Sequence, residues 1–224
     1  MRNPATCYMC DAPSTSREHA PPNCFFPAAD VFGRDVRRNL ITVPSCNAHN
    51  SEKSKDDEFL RATILLQAAQ SSEAARHQFF AKLLRAKARR PDAYRAFFTD
   101  HGALDAGKLH AMQLDRDRFD TCIDHLARAL FFDAFGQKWT LPIDVISPNF
   151  YSGIAADQPV PHAPTLQTVA VLQAFLLASP NRGANPEVFE YRLHHEAEQC
   201  FAFAARFYES FEVYCWSSPG MDVR

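Results

Sequence analysis

Four residues near the N-terminus have the types and the spacing of a metal site. Cys7 and Cys10 are separated by two residues, and Cys46 and His49 repeat that spacing later in the chain. A separation of two residues lets both side chains of a pair face one ion, and three thiolates with one imidazole suit tetrahedral zinc. Protein side chains fill all four positions, which is typical of a structural rather than a catalytic zinc ion. The spacing therefore predicts a structural zinc site.

The segment that carries these ligands has little else to hold it together. Residues 1–57 are rich in Pro, Ser, Asn and Cys and lack long apolar periodicity. Because such a segment buries too little apolar surface to fold alone, a bound ion would supply much of its folding free energy. The alternative is that the Cys7 and Cys10 pair is incidental and that His49 is a surface residue. The remaining cysteines lie in apolar surroundings typical of packed thiols: Cys24, Cys122, Cys200 and Cys215.

Composition narrows the class of protein. The formal net charge of -2 excludes a globally basic nucleic-acid binder but leaves local basic patches open. Seven cysteines without an export signal argue against a disulfide framework. The N-terminus lacks the hydrophobic stretch of a secretory signal, and no apolar run approaches the length of a membrane span. We therefore expect a cytoplasmic protein that does not enter a membrane.

Two kinds of periodicity organise the rest of the chain. Helical spacing of apolar residues predicts helices from about residue 56, over 73–90 and over 119–135, and Gly136 follows the last as a stop. Alternation predicts strands over 140–147, 188–195 and 200–216, the last as two strands with a tight turn near Glu209 and Ser210. Residues 166–179 fit a helix or a buried strand, and their length favours a helix. The predicted fold is α+β, with a zinc unit over 1–57 and a mainly helical domain over 58–224 that ends in a small antiparallel sheet.

The residues between the two metal-ligand pairs follow a known order. Glu18 and His19 precede Ala-Pro-Pro, and Asn39 and Leu40 lead into a strand-like segment before Cys46. An acidic residue with a His, a nearby proline, an Asn-Leu pair and a zinc knuckle followed by Asn and Lys resemble the HNH endonuclease family. The resemblance covers about residues 5–58, roughly a quarter of the chain. It implies a ββα-metal fold for this unit and metal-dependent hydrolysis of phosphodiester bonds.

The resemblance also implies roles for single residues. His19 corresponds to the general base that takes a proton from the attacking water, and imidazole suits this role because its pKa in water lies near neutrality. Glu18 and Asn50 correspond to the ligands of a catalytic divalent ion. A carboxylate and an amide oxygen are hard ligands that fit Mg²⁺ or Mn²⁺.

Three further positions follow from the same resemblance. Asn39 corresponds to the Asn that holds the loop carrying the base, and Lys53 and Lys55 would contact the phosphate backbone. Some positions depart from the family pattern. His49 stands where many members have Cys, while Glu18 and Asn50 replace the more common Asp and His.

A basic run over residues 76–95 contains a second candidate for nucleic-acid contact. On a continuous helix Lys82, Arg85 and Arg89 would share one face and could follow a phosphate backbone. The alternative is an ordinary solvated helix face, and the sequence does not decide between the two.

Together these features predict a metal-dependent DNA endonuclease, with RNA as a second substrate class, acting in restriction, phage defence or mobile-element processing. The second domain would bind substrate or a partner protein. Because the chain is not basic overall, loading onto DNA would rely on a partner or on a homodimer. Two alternatives remain: a catalytically silent zinc-knuckle protein that binds nucleic acid or serves as an adaptor, and a purely structural zinc protein.

Overall fold

The computed structural model describes residues 6–51, 53–89, 91–92, 99–100, 112–151, 166–196 and 200–217. Its N-terminal part is a two-stranded hairpin followed by a helix. Strand β1 (Ser16–His19) pairs antiparallel with β2 (Thr42–Ser45), and the connection between them holds a 3-10 helix (Asn23–Phe25) and the short helix α1 (Ala29–Phe32). Helix α2 (Ser54–Ala68) begins shortly after β2. The predicted domain boundary between residues 57 and 58 falls inside α2.

The middle of the chain is mainly helical. Helix α3 (Glu73–Gln78) continues into a π-helical turn (Phe79–Leu83) and then into α4 (Leu84–Arg89). The helix predicted here is therefore present, but a π-helical turn interrupts its α-helical geometry. A small pair of strands, β3 (Thr99–Asp100) and β4 (Met112–Gln113), precedes the long helix α5 (Arg116–Phe135). Within the described residues, no helix has the length and apolar character needed to cross a membrane.

Helix α5 is the central helix of the core, as its periodicity predicts. The Asp115 side chain accepts a hydrogen bond from the Arg118 N–H and caps the start of the helix. Gly136 has φ of 68° and ends it in the left-handed conformation that glycine adopts at low cost. Phe119, Ile123 and Phe131 are among the residues that the helix buries.

The C-terminal part contains five strands, in chain order β5 (Asp144–Ile146), β6 (Arg182–Asn185), β7 (Phe189–Glu196), β8 (Cys200–Phe207) and β9 (Phe211–Ser217). They form an antiparallel sheet in the order β5-β9-β8-β7-β6. The β8–β9 turn has positive φ at Tyr208 and Glu209, and Ser210 N–H donates to the Phe207 carbonyl, which is the geometry that suits a tight hairpin. The predicted α+β class, the small C-terminal sheet and this turn are confirmed.

Both faces of the sheet are covered. A 3-10 turn (Pro148–Tyr151) follows β5, and helix α6 (Leu166–Leu176) packs on β7 and β8, which confirms that this ambiguous segment is a helix. One core cluster lies under α6 and includes Val169, Leu172 and Trp216. The larger cluster joins α2, α5 and the opposite face of the sheet. Because it includes Tyr8 and Phe25 as well as Phe203, the N-terminal segment and the second half of the chain share one core.

Candidate metal centre

Two backbone turns bring the four predicted zinc ligands together. The first turn carries Cys7 and Cys10, and it is closed by a hydrogen bond from the Cys7 N–H to the Ala12 carbonyl (2.9 Å). The Tyr8 N–H donates to the Pro44 carbonyl (2.8 Å), which ties this turn to β2. Cys46 follows the last residue of β2 directly, and a second turn returns His49 towards it. The strand pairing of the hairpin therefore determines the distance between the two pairs.

The ligand atoms have the separations of a tetrahedral zinc site. Sγ of Cys10 and Sγ of Cys46 are 3.8 Å apart, and the His49 Nδ1 lies 3.6, 3.5 and 3.3 Å from the sulfurs of Cys7, Cys10 and Cys46. Bonds of about 2.3 Å to sulfur and about 2.0 Å to nitrogen give tetrahedron edges of about 3.8 and 3.5 Å. All four atoms lie within 4.8 Å of one another, so this Cys3His cluster can hold a structural metal ion such as zinc.

At Cys7 the surroundings favour the thiolate form that a metal binds. Burial alone would raise the pKa of Cys7, but N–H groups of Met9, Cys46 and Cys10, with the His49 ring, lower it to about 6. The His49 ring also meets His125 edge to face, with centroids 5.8 Å apart. These contacts orient the ligands before an ion binds.

Beside the zinc cluster, three charged residues form a buried group. Glu18 of β1 and Asp57 of α2 both contact the ammonium of Lys53, and Nζ of Lys53 is 2.7 Å from Oδ1 of Asp57. The side chains of Glu18 and Lys53 are only 6% and 10% exposed, so water screens this contact little. Burial raises the pKa of Glu18, and the Lys53 charge opposes that rise.

The predicted general base lies at the end of the same strand. His19 is half-buried and, among the described residues, its imidazole has no hydrogen-bond or ion-pair partner. Adjacent residues of a strand point to opposite faces, so His19 and the buried Glu18 leave β1 on different sides. Strand β1 therefore separates the two side chains rather than aligning them.

Asn50 follows the zinc ligand His49 and contacts the hairpin. Its Nδ2 donates to the Ser16 hydroxyl (2.7 Å) and to the Arg17 carbonyl (3.3 Å), which leaves its carbonyl oxygen without a partner in the hairpin. The predicted loop-holding residue Asn39 is exposed and has φ of 56°, a conformation that Asn tolerates better than most residues. Its role in holding the loop stays a prediction.

Glu18 and Asn50 offer oxygen atoms of the kind that bind hard cations. The Glu18 carboxylate is buried with the Tyr8 hydroxyl beside it, and Asn50 offers an amide oxygen; a carboxylate and an amide oxygen are ligand types that Mg²⁺ prefers. Access is less favourable, because Lys53 occupies one carboxylate oxygen and little solvent reaches the group. An ion at Glu18 would therefore compete with the Lys53 ammonium.

The predicted phosphate contacts have different exposures. Lys55, Arg85 and Arg89 are exposed, Lys82 is half-buried, and Lys53 is buried in the ion pairs described above. The π-helical turn that contains Lys82 shifts the helical phase, so Lys82, Arg85 and Arg89 do not follow one continuous α-helical face.

Two charged residues of α2 were missed in the sequence, and the first of them belongs to this site. Asp57 lies four residues after Lys53, a spacing at which helix side chains meet, so this ion pair could have been predicted. Arg61 lies one further turn along and is 7% exposed with an unpartnered Nε. Nothing in the local sequence distinguishes Arg61 from an exposed arginine, because burial depends on the distant segments packed around it.

Comparison of the chain with protein-family models, with curated proteins and with solved structures finds no match.

Proposed function

We propose that the chain is a zinc-stabilised, metal-dependent endonuclease of the HNH type that hydrolyses phosphodiester bonds of DNA, with RNA as a second substrate class. One combination of features in a single β-β-α unit carries the proposal. It consists of a Cys3His cluster, a histidine at the end of β1 that has no partner among the described residues, and Asn50 next to a zinc ligand. A purely structural zinc protein would need neither a histidine at position 19 nor the hydrogen bonds from the Asn50 amide to β1.

His19 is the proposed general base. It accepts a proton from a water molecule while the water oxygen bonds to phosphorus, and the P–O3′ bond breaks with its electron pair staying on the 3′ oxygen. The 3′ oxygen then takes a proton from solvent, so the products are a 5′-phosphate and a 3′-hydroxyl. Asn50 would contribute an amide oxygen to a Mg²⁺ or Mn²⁺ ion, which supplies positive charge for the phosphate oxygens and the leaving oxygen. Glu18 lies on the opposite face of β1 from His19 and is paired with Lys53, so it would have to leave that pair to act as the second ligand.

The zinc cluster has a positioning role in this proposal. His49 is a zinc ligand and Asn50 is its neighbour, so a bound zinc ion would hold the Asn50 backbone while Ser16 and Arg17 orient its amide. Loss of zinc would therefore abolish cleavage without zinc taking part in the reaction. In the cell, the activity would serve restriction, phage defence or mobile-element processing in the cytoplasm, with a partner protein or a homodimer supporting loading onto DNA.

Cleavage of supercoiled plasmid by the zinc-loaded protein tests this proposal. We expect nicked or linear DNA with Mg²⁺ or Mn²⁺, no product after these ions are removed, and a rate at least about 100-fold lower for His19→Ala. The matched control is His194→Ala, a half-buried histidine of the C-terminal sheet, which should cut like wild type. Equal cutting by His19→Ala would reject the assigned base, and intact DNA and RNA under all conditions would reject the enzyme.

One observation favours a second candidate, a catalytically silent zinc-knuckle protein that binds nucleic acid or acts as an adaptor. The Glu18 carboxylate is buried and paired with Lys53, which stabilises the fold whether or not an ion binds. If this candidate is correct, the zinc-loaded protein will bind a nucleic-acid strand with equal affinity in the presence and absence of Mg²⁺ and will leave it uncut. An affinity that rises with Mg²⁺ and falls in Asn50→Ala would instead support the endonuclease.

A further inference from the structure

Arg61 is a buried cation for which the described residues supply no counter-ion. It lies on α2, is 7% exposed, and its Nε has no hydrogen-bond partner. Within the described part of the chain, neither Arg61 nor the nearby Lys82 forms an ion pair with a carboxylate. Removing a guanidinium from water is unfavourable unless an opposite charge or hydrogen bonds compensate it. An anion bound beside Arg61 would therefore compensate its buried positive charge.

Several segments bring further cations to the same place, around the 3-10 helix that contains Cys24. The Cys24 thiol contacts the Asp57 carbonyl of α2 (3.9 Å), one helical turn before Arg61. Gln78 Nε2 donates to the Phe25 carbonyl (3.0 Å), which holds the turn before Lys82 against this segment. Three elements that are distant in sequence therefore converge on one short stretch of backbone.

Arg37 completes the group from the loop before β2. Its Nε and Nη2 donate to the Phe26 carbonyl at 3.2 and 3.0 Å, which fixes the guanidinium beside the same stretch. Burial lowers the pKa of Lys82, and the positive charges of Arg37, Arg61 and Arg85 lower it further, so these cations lie within electrostatic range of one another. Burial also raises the pKa of the Cys24 thiol to about 11, so this thiol contributes no negative charge at neutral pH.

We propose that Arg61, Lys82 and Arg37 form a binding site for one phosphate group. A guanidinium fork together with an ammonium matches the charge and the oxygen geometry of a phosphate, and each bond would be charge-assisted. Arg85 is exposed and lies at the edge of the group, where it attracts the ligand before binding.

A nucleotide or a nucleic-acid strand is the source that the neighbouring surface favours. Arg85 also lines an open groove of about 470 Å³ with Arg76, His77 and Phe80. Phe80 is 62% exposed, so its ring is accessible to a ligand that lies in the groove. An exposed aromatic ring beside cations is the arrangement on which bases stack while phosphates bind the charges.

The site can be tested with inorganic phosphate alone, at constant ionic strength with chloride as the replaced anion. Phosphate should raise the melting temperature of the wild-type protein, because a ligand that binds only the folded state stabilises it. Arg61→Met removes the charge and keeps a similar volume, so it should fold with an equal or higher melting temperature and lose the shift produced by phosphate. Arg38→Met is the matched control, since Arg38 is an exposed neighbour of Arg37 outside the group, and it should keep the shift.

Two outcomes would overturn the site: no phosphate-dependent shift in the wild type, or an equal shift in Arg61→Met. A strongly lowered melting temperature of Arg61→Met together with a retained shift would instead make Arg61 a structural residue.

A second arm identifies the source of the phosphate and is independent of cleavage. In a His19→Ala background, which removes the proposed base, a single strand of about 12 nucleotides is titrated at several salt concentrations. If the strand supplies the phosphate, Arg61→Met lowers its affinity about tenfold and reduces the salt slope by about one. If the shift with inorganic phosphate depends on Arg61 but strand affinity does not, the site stands and its ligand is a free phosphate compound. Because cleavage is absent from this background, the proposed endonuclease activity can fail without affecting the result.

Discussion

The buried group of Glu18, Lys53 and Asp57 yields the sharpest stability prediction. Lys53→Met keeps the length of the side chain and removes the ammonium, which leaves two carboxylates facing each other without a cation. Removal of one partner of a buried ion pair lowers protein stability by about 3 to 5 kcal/mol. That range applies to the pair of Glu18 and Lys53 because both side chains are almost fully buried. We therefore expect Lys53→Met to lower the free energy of unfolding by about 3 to 5 kcal/mol.

Glu18→Gln should have a smaller effect, because Lys53 keeps its contact with Asp57 (2.7 Å) and the glutamine oxygen still accepts a hydrogen bond. A loss of about 1 to 3 kcal/mol is expected for that variant. The double variant, Glu18→Gln with Lys53→Met, should be destabilised by less than the sum of the two single changes, because a neutral glutamine does not require a cation beside it. The expected coupling free energy is about 2 kcal/mol.

Urea unfolding of the zinc-loaded protein measures the free energy of unfolding of the wild type, of the two single variants and of the double variant. Fluorescence of Trp139 and Trp216 reports on the transition because both are buried, and equal slopes with urea would show that the unfolded states are comparable. Arg38→Met, which removes a cation from an exposed pair, should leave the free energy of unfolding unchanged. Additivity of Lys53→Met and Glu18→Gln within about 0.5 kcal/mol would refute the view that the group is one energetic unit.

Three further predictions concern the metal site and the backbone. Cys46→Ala should purify with far less than the wild-type zinc content, measured by metal analysis, whereas Cys200→Ala should match wild type because Cys200 lies outside the cluster. Asp115→Ala removes the cap of α5 and should cost about 1 kcal/mol in urea unfolding, so an unchanged midpoint would contradict the capping role. Gly183→Ala places a Cβ 2.6 Å from the Phe189 carbonyl oxygen, whereas Gly33→Ala meets open space. Gly183→Ala should therefore be the more destabilising by about 1 kcal/mol or more, and equal melting of the two would refute the steric argument.

The features that the sequence predicts well depend on short separations along the chain. Two ligand pairs with a spacing of two residues, the apolar period of α5 and Gly136, and the β8–β9 turn are each determined by neighbours within a few residues. Prediction of the zinc cluster required one further inference, that the Cys7–Cys10 pair and the Cys46–His49 pair bind the same ion. The core-poor composition of residues 1–57 supported that inference, because another source of folding free energy was needed.

The features that the sequence predicts poorly depend on contacts between distant segments. The resemblance implied a phosphate contact for Lys53, and no local pattern indicates its ion pair with Glu18, which the hairpin brings to it. Phe25 packs on Phe207 with ring centroids 5.3 Å apart, a contact that no local pattern indicates. That contact is the reason the N-terminal segment has support besides the zinc cluster.

Helix α2 connects the two proposed sites. Lys53, Asp57 and Arg61 are spaced four residues apart, so they follow one stripe of the helix and its N-terminal flank, with Glu18 at one end and the phosphate group proposed at the other. Eight residues of helix rise about 12 Å, which is close to the axial length of three to four nucleotides. A strand could therefore extend along this stripe from a phosphate bound at Arg61 to the start of α2 near Glu18. Because the core holds α2 in place, His19→Ala should remove cleavage and keep binding at Arg61, while Arg61→Met should weaken binding and keep the base intact.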